Sequence, residues 1–165
     1  MRARESNMDI LATIENDERL ETQASLLHQA TLYHLVWLTE VRAWADKWLE
    51  KDANLTDNES ALLIEVSTSP QPEALEALSR LASKSGVHVL EPLLGLMAHL
   101  YANQRLPLER VASLLASFCE DFSPPFPELL QPGWEYELSS VNETERDLAR
   151  NTLAQRLLTY VETPV

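Results

Sequence analysis

VHVLEPLLGLMAHLYA, from Val87 to Ala102, is apolar on nearly every side of a helical wheel. A helix of that kind, short of the roughly 20 residues that span a bilayer, belongs in the interior of a globular domain. Gly86 separates it from the sequence before, and the Leu106-Pro107 step cuts it from the sequence after. Pro92 falls near its first turn, where the missing N–H is tolerated. The flanking segments read as amphipathic helices that wrap it. The prediction is an all-α fold, a compact bundle of about six to seven helices around the central apolar helix Val87–Ala102.

Composition agrees with that reading. A chain of 165 residues fits one domain, so residues 1–165 are expected to form a single helical domain. Only three glycines occur, too few for a design built on tight hairpin turns. Acidic residues number 26 against 13 Lys and Arg, a formal net charge of −13. That field repels phosphate backbones and anionic membranes, which argues against nucleic-acid and membrane partners and favours a basic one. Cys119 is alone, so no disulfide closes within the chain and a reducing, cytoplasmic setting is expected. MRARESNMDI has no apolar h-region behind its arginines and does not read as a secretory signal.

Residues 1–7 are polar and expected to fray. A short helix is predicted near Asp9 to Asn16 and a longer one near Leu20 to Trp37, from apolar spacings of three, four and seven. TEVRAWADKWLEK follows with Thr39 as candidate N-cap; whether it continues the preceding helix is left open by the sequence. Trp37, Trp44 and Trp48 recur at seven and four, the spacing of a buried stripe. Asp52 to Asn58 reads as a loop. ESALLIEVS reads as two helical turns, its β-branched end leaving a strand open. EALEALSRLASKS is a helix with Leu75, Leu78 and Leu81 inward, and PLERVASLLASFCEDF one with Leu108, Val111, Leu114, Leu115 and Phe118 inward. Residues 123–139 form a proline-rich acidic loop. Asn142 and Glu145 resemble a capping box opening ETERDLARNTLAQRLLTYVE, whose Leu148, Leu153, Leu157 and Val161 make a seam. No repeat of 20–50 residues is visible.

No catalytic signature appears. His88 and His99 lie eleven residues apart, about 20° from eclipsed on a helix, with Glu91 one turn after His88. Bundle metal sites draw Glu-x-x-His pairs from several helices, and here the order is reversed. Cys119 sits at a helix end beside Glu120 and Asp121, a setting that raises a thiol pKa rather than activating it. There is no glycine-rich phosphate loop and no nucleophile elbow. No catalytic residue, metal or cofactor is assigned.

Acids are unevenly placed. Between Glu120 and Asp147 stand Glu120, Asp121, Glu128, Glu135, Glu137, Glu143, Glu145 and Asp147 against the single base Arg146. Trp134 and Tyr136 lie among them, aromatic anchors beside charges that set specificity. Glu120, Asp121, Glu128, Trp134, Glu135, Tyr136, Glu137, Glu143 and Glu145 are therefore the expected partner-binding residues.

The pattern EVRAWADKWLEKDA…ALLIEVSTS followed by LLGLMAHLYANQRLPLERVASLLASFCEDFSPP resembles a bacterial family of small acidic helical proteins, over Val41 to Trp134. In that family a helix bearing WAD precedes a short "lieLs" segment and a block ending in an acidic aromatic tail. The resemblance rests on core residues and implies a role like that of immunity proteins, which neutralise toxin domains; no functional residue transfers. The expectation is a non-enzymatic cytoplasmic protein-binding module that neutralises a basic toxin domain. Two alternatives stand beside it: a helical-bundle metal- or ligand-binding protein or enzyme using His88, Glu91 and His99, and a small regulatory or chaperone-like subunit forming homo-oligomers.

Overall fold

A computed structural model describes residues 19–51, 54–82, 89–122 and 143–162. Among these, seven helices and no strand occur, the all-α bundle expected from composition and spacing. They are α1 (Leu20–Leu32), α2 (Leu38–Glu50), α3 (Asp57–Thr68), α4 (Gln71–Leu81), α5 (Leu90–Ala102), α6 (Leu108–Asp121) and α7 (Glu143–Glu162). The helix expected at Asp9–Asn16, the fraying expected of residues 1–7, Gly86, His88, the loop expected at 123–139 and the expected cap Asn142 lie outside the described residues. The chain divides into two compact units, residues 1–93 and 94–165, with the boundary inside α5.

In the first unit, α1 does not run to Trp37 as predicted. It stops at Leu32, and His34 takes φ 57°, the left-handed conformation. Leu35 N–H donates to the Ala30 carbonyl at 2.8 Å and His34 N–H to that of Thr31 at 3.1 Å, a Schellman closure without glycine. The next helix then starts at Leu38, so the residue before it is Trp37 and not Thr39. Glu40 Oε2 accepts the Trp37 backbone N–H at 2.8 Å, and Glu40 itself is buried. A carboxylate in a helix's first turn satisfies an otherwise orphaned donor and complements the dipole.

This break corrects the tryptophan stripe. Trp44 is fully buried and Trp48 half-buried, but Trp37 lies outside the helix and is 69% exposed. Spacings of seven and four align the three only if one helix carries all of them.

Gln23 on α1 holds the two inward indoles. Its Oε1 accepts Trp44 Nε1–H at 2.8 Å and Trp48 Nε1–H at 2.9 Å. ESALLIEVS is helical, within α3, because Thr56 and Glu59 form a capping box. Thr56 Oγ1 accepts from Glu59 N–H at 3.1 Å, and Glu59 Oε2 from Thr56 N–H at 3.4 Å. α3 packs against α2 and α4, and α4 against α1. Arg42 and Asp46, one turn apart on α2, tie it to the end of α3: Arg42 donates to the Ser69 carbonyl at 2.6 Å, and Asp46 accepts from the Ser67 hydroxyl. In α4, Leu78 and Leu81 are buried with Ala74 and Ala77, while Leu75 is half-buried.

In the second unit, α5 ends on the same kind of turn. Gln104 takes φ 59°, with Arg105 N–H donating to Leu100 at 2.9 Å and Gln104 N–H to Tyr101 at 3.0 Å. Leu94, Leu96, Met97, Ala98 and Leu100 of α5 are buried, and the predicted α6 stripe of Leu108, Val111, Leu114, Leu115 and Phe118 is buried throughout. Burying each such side chain stabilises by about 1.5–3 kcal/mol. α7 follows its predicted bounds and buries Leu153 and Leu157, but Leu148 is 69% exposed. Five residues turn a helix by 500°, so Leu148 lies about 140° away from Leu153.

Candidate functional site

Of the residues expected to meet a partner, four are described. Glu120 and Asp121 are exposed at the end of α6, and Glu143 and Glu145 are exposed in the first turn of α7. They bracket residues 122–142. Glu128, Trp134, Glu135, Tyr136 and Glu137 lie outside the described residues. The two pairs sit in opposite electrostatic settings. Glu143 and Glu145 complement the positive end of the α7 dipole. Glu120 and Asp121 stand at the negative end of α6, whose last turn carries no basic residue. A carboxylate there works against helix stability.

Cys119 is half-buried next to this end of α6. Burial, followed by the charge of Glu120, pushes its thiol above the ordinary value. The thiolate needed for nucleophilic work is thereby disfavoured.

Glu91 and His99, the described members of the histidine set, are not brought together. Glu91 is exposed in the first turn of α5 and His99 is half-buried near its end. Eight residues at 1.5 Å rise separate them by about 12 Å along the axis, too far to share an ion. His88 is outside the described residues. Among the described residues, no three His, Cys, Asp or Glu side chains gather as a metal site would need. His28, half-buried on α1, has its imidazole held below the ordinary value by burial.

Two surface features of the helical turns have no counterpart in the sequence reading. In the first unit, Leu32 and Trp37 flank the α1–α2 turn at 56% and 69% exposure. In the second, Tyr101, Ala102, Gln104, Leu106 and Pro107 of the α5–α6 turn, with Leu158 of α7, line an open cleft of about 430 Å³. Arg150 of α7 reaches Glu109 in the first turn of α6 at 3.6 Å, so α7 passes beside this turn. The sequence marks the second turn through Pro107 but hides the first, which has neither proline nor glycine and places His34 at its left-handed position. Among the described residues, no helix is long and apolar enough to cross a membrane.

Comparison with protein-family models, with curated proteins and with solved structures returns no match.

Proposed function

We propose that the chain is a non-enzymatic, cytoplasmic protein-binding module whose partner presents a basic surface, and that the partner is a toxin domain it neutralises. The observation that carries this reading is the charge. The chain has a net charge of −13, and Glu120 and Asp121 are exposed at the helix end where carboxylates are unfavourable. Acids kept against the local dipole are accounted for by an external cation better than by helix stability. Complementary charge speeds encounter and discriminates against wrong partners. The family resemblance over Val41–Trp134 supplies the toxin as partner class, because domains that attack nucleic acids carry basic clefts.

The test is co-expression with a toxin encoded beside the chain, followed by association kinetics. Growth rescue and co-purification are expected. Reversal of Glu120, Asp121, Glu143 and Glu145 to Lys should lower the association rate at low salt, and the loss should shrink as salt rises. An unchanged association rate in the folded variant would remove the acidic surface from the mechanism.

A further inference from the structure

We draw no further inference here: the strongest candidate, the exposed apolar pair Leu32 and Trp37 at the α1–α2 turn, carries nothing because nothing among the described residues shows what covers it.

Discussion

Trp44, fully buried on α2, donates its indole N–H to Gln23 Oε1 of α1 at 2.8 Å. The same oxygen accepts Trp48 at 2.9 Å, so one amide satisfies two indoles from consecutive turns. Gln23→Leu keeps the approximate volume but leaves the buried indole N–H of Trp44 without its acceptor. A loss of about 1–3 kcal/mol is expected in denaturant unfolding, with the slope unchanged. A change under about 0.5 kcal/mol would mean that another acceptor takes over.

Arg42 acts at a distance on a helix that lacks its own basic terminus. α3 has no basic residue in its last turn, and Arg42 of α2 supplies the cation by donating to the Ser69 carbonyl at 2.6 Å. Arg42→Met retains much of the aliphatic packing and removes the charge. Stability should fall by about 1–2 kcal/mol, and hydrogen exchange should speed first in the last turn of α3. Uniform exchange across α3 would show that the contact is not acting as a cap.

His28 makes stability depend on pH. Burial lowers its folded-state pKa below the ordinary 6.5, so the unfolded chain binds this proton more readily than the folded one. The linked stability is fully present above the unfolded value. It declines as pH falls through that value toward the lower folded one. Melts between about pH 7.5 and 5.5 should show a Tm decline that His28→Gln reduces. Identical slopes in the two proteins would remove His28 from the acid response.

Cys119 should alkylate slowly. With its thiol raised by burial and then by Glu120, its thiolate fraction at about pH 8 lies below that of a free cysteine. Glu120→Gln should speed reaction with iodoacetamide, and urea should speed it further by removing the burial. A rate equal to that of free cysteine in the folded protein would contradict this.

Much of the second unit was legible because Pro107 marks a helix start and because Leu108 to Phe118 keep one period throughout. The start of α7 is legible from the capping-box pattern of Asn142 and Glu145. Leu148 departs from the expected seam because its spacing of five to Leu153 leaves the helix face. The α1–α2 break, left open by the sequence, lies earlier than its candidate cap Thr39 for a different reason. Its left-handed residue is His34, and the apolar Leu35 and Val36 continue a helical pattern through the turn. Trp37 then looked like the first member of a buried stripe. The α1–α2 and α5–α6 turns repeat the same backbone hydrogen bonds at an offset of 70 residues, a likeness the sequence hides because only Leu20, Glu21, Leu26, Leu38, Val41 and Glu50 recur at Leu90, Glu91, Leu96, Leu108, Val111 and Glu120. For the acidic surface, the sequence places Glu120 and Asp121 at a helix end and names them with Glu143 and Glu145 as partner-binding residues, and the structure adds that all four are exposed.

His34, Asn54 and Gln104 occupy left-handed backbone in a chain that has three glycines in all. Each non-glycine residue there strains the native state by about 1 kcal/mol or more. It also narrows the ensemble from which the chain must fold, an advantage of about 0.4–1 kcal/mol over glycine. The strain is as large as the gain or larger, so these turns are neutral to mildly destabilising at equilibrium. Their effect falls on the denatured ensemble, which starts with fewer conformations to search.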